Sequence, residues 1–157
     1  VVASMLICEM ACYYKNQGKT LVDVMEEIYA TYGYFLDKLD SYTLKGIDGA
    51  AQIAEMMNKL RSNPPKNFGD LTVKEFRDYD MDVLKNLETG EEGKTGLPKS
   101  NVLYFDLTND SWCCARPSGT EPKVKFYYGV KGASLEDADS KSAAFGKEVL
   151  AMIDKML

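Results

Sequence analysis

The chain has 157 residues, with 19 Lys and Arg against 24 Asp and Glu, no His and four Cys. A formal net charge of -5 argues against wholesale binding to nucleic acid or to an anionic membrane, since both need a dominant positive field. No stretch approaches the ~18–20 uninterrupted apolar residues of a membrane span. Without His, the usual Ser/His and Cys/His catalytic pairs and the common His-containing zinc sites are excluded.

The chain opens VVASMLICEMACYY, with neither a basic leader region nor a small-residue cleavage motif. Residues 2–14 are apolar on nearly every side, which predicts a helix buried by neighbours and a chain cut from something longer. Cys8 and Cys12 lie four apart on one helix face, while Cys113 and Cys114 are adjacent and point to opposite faces of a strand. Neither pair has C-x-x-C spacing, so four reduced thiols in a cytoplasmic protein are expected. Gly18 ends the first helix. Thr20 then caps a second, with Asp23 three residues on and Leu21, Val24, Met25, Ile28, Tyr29 and Tyr32 at spacings of three and four. Residues 36–44 read as a linker ending in Lys45-Gly46.

Asp48 is positioned to cap a third helix whose inner face is Ile53, Met56, Met57 and Leu60, stopped by Pro64 and Pro65. Residues 71–79 predict a strand, and residues 87–100, rich in Gly, Glu and Lys, a mobile loop. The pattern then changes to a period of two. Leu103, Phe105 and Leu107 share one strand face, Asn109-Asp110 makes a tight turn, and residues 111–116 run back. Val124, Phe126, Tyr128 and Val130 alternate with Lys123, Lys125 and Tyr127 in a further strand. Ser134 caps a last helix whose stripe is Ala138, Phe145, Val149, Ile153 and Met156. The expected fold class is α+β: a four-stranded antiparallel sheet covered by helices.

One segment carries chemistry: Arg116-Pro117-Ser118-Gly119-Thr120-Glu121-Pro122-Lys123. Gly119 has no Cβ, so successive N–H groups can turn inward and a ligand can approach closely. Ser118 and Thr120 add hydroxyl donors, Arg116 a planar fork matched to two phosphate oxygens, and the flanking prolines limit flexibility. Residues 70–94 hold eight acidic and four basic side chains, whereas residues 99–131 hold five basic and three acidic. A phosphate ester, carrying roughly -1.5 to -2 charges near neutral pH, suits that local balance. The same residues are also compatible with a β-turn that only closes a hairpin. Neither G-x-x-x-x-G-K-[ST] nor G-x-G-x-x-G occurs, so a nucleotide cradle is not indicated.

R-P-S-G-T-E-P-K-V-K-F-Y-Y, preceded by L-P-K-S-N-V-L-Y-F and by L-I-C-E-M-A-C-Y-Y-K, resembles the C-terminal part of the α-D-phosphohexomutases. Within them it is most similar to the bacterial phosphoglucomutase/phosphomannomutase group. The resemblance implies that residues 1–45 are the closing helices of a third domain and residues 46–157 a fourth, TBP-like, phosphate-binding domain. It implies that Arg116, Ser118, Gly119 and Thr120, with Lys125 as an extra contact, hold the phosphate of the phosphosugar that is not being transferred. The parent enzyme would interconvert hexose 1-phosphate and hexose 6-phosphate through a hexose bisphosphate, with Mg. The family's phosphoserine loop, D-G-D-x-D-R magnesium loop and G-E-x-S-G-H segment match nothing here. No catalytic or metal-binding residue is therefore assigned to this chain, and it is expected to be inactive alone. The alternative is a non-catalytic anion- or partner-binding module. The expected partners are a glucose or mannose phosphate, the parent's remaining domains, and a second copy docked through residues 1–36; no nucleic acid or membrane partner is expected.

Overall fold

The fold is organised around one strand that is apolar on one face and cationic on the other. In a computed structural model describing residues 1–44 and 48–156, β8 (Lys123–Gly132) buries Val124, Phe126, Tyr128 and Val130 while Lys123, Lys125 and Tyr127 stay half-buried on the opposite side. β7 (Trp112–Pro117) and β6 (Leu103–Leu107) repeat the alternation, burying Cys113, Ala115, Leu103, Phe105 and Leu107. With a period of two, each strand divides its residues between a core face and an open face.

The elements run in the order α1 (Val2–Lys15), α2 (Leu21–Tyr32), β1 (Tyr34–Thr43), α3 (Gly49–Ser62), β2 (Asn67–Phe68), β3 (Leu71–Asp78), β4 (Val83–Asn86), β5 (Glu92–Gly93), β6, β7, β8 and α4 (Leu135–Asp154). The strands form an antiparallel sheet ordered β1-β8-β7-β6-β3-β4-β5, with β2 attached to β3. The α+β, TBP-like class is as expected, but among the described residues the sheet holds eight strands rather than four. The shortest, β2 and β5, are two residues each and carry no readable alternation.

The largest departure from the sequence reading is β1. Residues 36–44 read as a linker, yet residues 34–43 pair along their whole length with β8, from Tyr34 opposite Gly132 to Thr43 opposite Lys123. Lys38 and Asp40 occupy core-side positions where apolar residues would be expected. Lys38 meets Asp139 on α4 at 2.9 Å, and Asp40 accepts a hydrogen bond from the Tyr128 hydroxyl at 2.8 Å. Polar groups satisfied in this way can replace apolar ones on a half-buried face. The linker's expected end at Lys45-Gly46, and the division between residues 45 and 46, lie outside the described residues.

α3 and α4 both pack on the core face, supplying Ile53, Met56, Met57, Leu60, Phe145, Val149 and Ile153 to the cluster. α2 starts with a capping box: the Asp23 amide donates to Thr20 Oγ1 at 3.2 Å and the Thr20 amide donates to Asp23 Oδ2 at 2.7 Å. Ser134 Oγ caps α4 by accepting from the Asp137 amide at 3.1 Å, while the Asp137 carboxylate accepts from the Ala133 amide at 2.7 Å. Asp48 stands at the start of α3 but makes no side-chain cap bond, contrary to its expected role. Asn109 and Asp110 turn β6 into β7 with φ of 60° and 52°, left-handed values that short polar side chains tolerate. Residues 87–100, read as a mobile loop, carry β5 and are fastened within, where Asp82 accepts from Thr95 and Gly96. They are also fastened at both ends, where the Leu87 amide donates to the Lys74 carbonyl at 2.8 Å and the Ser100 amide to the Tyr79 carbonyl at 3.2 Å. Just beyond, Arg61 reaches Asn101 at 2.8 Å while pairing with buried Asp78 at 2.7 Å.

α1 buries no residue at all, and α2 buries only Val24. Met5 is 67% exposed, Leu6 59% and Tyr13 62%.

Burial, and then the hydrogen bond to Asp40, raises the Tyr128 phenol above the ordinary tyrosine value. The folded chain keeps this proton where the unfolded chain starts to release it, near about pH 10. Unfolding then releases protons, so the stabilisation is full below that pH and is lost as pH rises beyond it. Tyr128→Phe should lower the free energy of urea unfolding by about 1 kcal/mol at pH 7 and should lose less further stability between pH 9 and pH 11 than the parent chain.

Candidate functional site

The candidate site lies where β7 turns into β8. Pairing of the two strands places Arg116 directly opposite Lys125, with Pro117 opposite Val124 at the mouth of the loop. Because Val124 and Phe126 are committed to the core, Lys125 must face the open side, and Arg116 with it. Arg116 is exposed and Lys125 half-buried. Among the described residues neither has a carboxylate within salt-bridge distance. Lys123, by contrast, is held by Glu121 at 3.2 Å.

Two like charges directly across an antiparallel pair repel one another. Leaving both without a counter-ion is a local cost to the fold, of the kind that functional sites retain. The neighbour on the Arg116 side does not compensate: burial pushes the Cys114 thiol up, outweighing the opposite pull of Arg116, so the thiol stays neutral near pH 7.

The loop itself is only partly tied down. The Ser118 amide donates to the Lys123 carbonyl at 2.7 Å, closing the hairpin, and the Lys123 amide donates to the Glu121 carbonyl at 2.7 Å. The Thr120 and Glu121 amides donate to Ser118 Oγ at 3.4 and 3.3 Å, long enough to be exchanged for a better acceptor. Among the described residues the Gly119 amide and the Thr120 hydroxyl have no protein partner. Gly119 does not adopt a positive φ, and a Cβ there would meet open space. Its expected conformational role is thus absent in the unliganded loop. What the missing Cβ provides is clearance on the side from which a ligand would come.

Two further elements frame the loop: β1, which read as a linker, and α3, which read as a helix but was not placed beside the loop. The Leu44 amide donates to the Pro122 carbonyl at 2.9 Å, fastening the end of β1 to it. The start of α3 lies against the same turn: a Cβ on Gly49 would come within 3.1 Å of Pro122 Cβ. The signal for β1 lay in its aromatic residues Tyr34, Phe35 and Tyr42 and in Thr43, but Leu36, Leu39 and Tyr42 are spaced by three and broke the alternation.

Among the described residues no three His, Cys, Asp or Glu side chains converge to hold a metal ion.

This arrangement predicts opposite effects on stability and binding. Lys125→Gln should stabilise the unliganded chain by about 0.2–1 kcal/mol by removing a like-charge pair. Urea unfolding at low ionic strength should show the gain, and ~1 M NaCl should abolish it.

No family model matches the chain. Curated relatives do. Phosphoglucomutase of Staphylococcus aureus strain bovine RF122 / ET3-1 is 40% identical over 136 residues, covering 87% of this chain and 24% of the relative. Those of strains USA300 and NCTC 8325 / PS 47 match at the same identity and coverage. The chain thus spans about a quarter of the length of these relatives. The resemblance read from the Arg116–Lys123 segment and its flanks is borne out: over most of its length this chain is similar to a portion of curated phosphoglucomutases.

Proposed function

We propose that this chain is the phosphate-clamping portion of a phosphohexomutase that interconverts hexose 1-phosphate and hexose 6-phosphate through a bisphosphate intermediate. The observation that carries this reading is the unpaired Arg116–Lys125 couple beside a loop with available amides. A phosphate dianion seated there would take a bidentate contact from Arg116, a second charge from Lys125, and N–H groups from Gly119 and Thr120. Ser118 would release its two long acceptor bonds and offer its hydroxyl. The phosphoryl group held here is the one not being transferred. Its binding energy orients the other end of the sugar toward groups supplied elsewhere. Magnesium and the phosphoserine belong to those other parts.

The bare apolar surface of α1 and α2 supports placing them as closing helices of a preceding unit, with the remainder of a mutase-length protein covering them. Self-association through this surface is the competing outcome, visible as a concentration-dependent mass in sedimentation. Four free thiols, two of them exposed, fit a reducing compartment, and we place the protein in the cytoplasm. No described helix is long and apolar enough to cross a membrane.

The test is a chemical-shift titration of the chain with inorganic phosphate and with glucose 1-phosphate. Both should perturb amides in residues 116–125. Arg116→Ala should weaken each by about 1.5–3 kcal/mol, the worth of a charge-assisted hydrogen bond. The chain alone should show no mutase turnover. Unperturbed amides at millimolar ligand, or unchanged affinity on removing Arg116, would overturn the clamp.

A further inference from the structure

The row that holds the two cations does not end at Lys125. Pairing of β1 with β8 places Ser41 directly opposite Lys125, which is itself directly opposite Arg116. Residues in such a row point to the same side of the sheet. Ser41 is exposed, and among the described residues its hydroxyl has no protein partner. The next row toward the middle of the sheet is Cys114, Tyr127 and Leu39, with Leu39 46% exposed. The open face therefore presents a polar row of guanidinium, ammonium and hydroxyl alongside a row bearing a phenol ring and an aliphatic side chain. Neither α3 nor α4 covers it, since both pack on the other face.

Adjacent strands are spaced by about 4.8 Å, so the Ser41 position lies about 10 Å from that of Arg116. A phosphate bridging Arg116 and Lys125 occupies two positions of the row and leaves the third to whatever is bonded to phosphorus. A carbohydrate has hydroxyls at its edge and C–H groups on its faces, which matches a polar row beside an apolar one. The hydroxyl of Ser41 can both donate and accept, so it can serve a sugar hydroxyl presented in more than one orientation. Its placement is not left to a loose segment, because the Leu44-to-Pro122 bond ties the end of β1 to the phosphate loop.

We infer that Ser41 is a sugar-contacting residue: its hydroxyl bonds a hydroxyl of the phosphosugar whose phosphate rests on Arg116 and Lys125. The inference rests on the phosphate-clamp reading and extends it from the loop to the open face of the sheet. Ser41→Ala and Ser41→Thr decide it, titrated in the whole chain with inorganic phosphate and with glucose 1-phosphate and followed by amide shifts. Ser41→Ala should weaken glucose 1-phosphate about 3- to 10-fold, the value of one neutral hydrogen bond, and leave inorganic phosphate unchanged. Ser41→Thr, which keeps the hydroxyl and favours a strand, should retain the parent affinity for both. If Ser41→Ala binds glucose 1-phosphate as the parent does, or loses both ligands equally, the sugar contact is overturned while the clamp stands. If the parent chain binds neither ligand, the clamp fails and the sugar contact with it.

Discussion

Everything in this protein that bears on binding depends on β8 being the shared partner of β1 and β7. Its even-numbered residues from Val124 to Val130 enter the cluster beneath α3 and α4, and this burial prevents the strand from sliding by a single residue. Such a slip would bury Lys123 and Lys125 and expose Val124 and Phe126, which makes register strongly specified. With the register set, Arg116 and Ser41 are brought to the two sides of Lys125 without any contact between their own side chains having to hold them there. Core packing on one face thus aligns the groups on the other.

The open face carries charge that the fold alone does not require. Some surface cations elsewhere in the chain are met by carboxylates, Lys85 by Glu92, Lys131 by Asp110 and Lys141 by Asp137. Others, such as Lys66, Lys74 and Lys147, have none among the described residues. Arg116 and Lys125 differ from both groups in that they lack a carboxylate and face each other directly across a strand pair. A site of this kind is preorganised, because the repulsion is already present before a ligand arrives and an incoming anion relieves it. The loop contributes in the same sense. Its hairpin closure is short and firm at Ser118 and Lys123, while the bonds between Ser118 Oγ and the next amides are long and exchangeable.

The bare helices at the other end have a different physical character. α1 has apolar side chains around most of its circumference and buries none of them. Such a helix gains little from its own chain, and its stability in a larger protein would come from packing of that surface. The contrast between a closed core under α3 and α4 and an open surface on α1 matches a chain that spans about a quarter of the curated phosphoglucomutases it resembles.

Local patterning was enough to read the helix caps at Thr20 and Ser134, the alternation of β6 and β8, the turn at Asn109-Asp110, and the bend between β7 and β8. Each of these depends on neighbours within a few residues, where backbone geometry imposes a fixed period or a fixed turn. β1 was not readable in this way. Its core-side Lys38 and Asp40 find their partners on α4 and β8, roughly a hundred residues away in the chain, so its own residues look like a linker until those partners are in place. The composition of the loop marked Arg116, Ser118, Gly119 and Thr120 as a group and the resemblance added Lys125, but only the pairing of β1, β8 and β7 set Arg116 and Ser41 on either side of Lys125. Strand order and register are collective results of core packing, and no local window of sequence contains them.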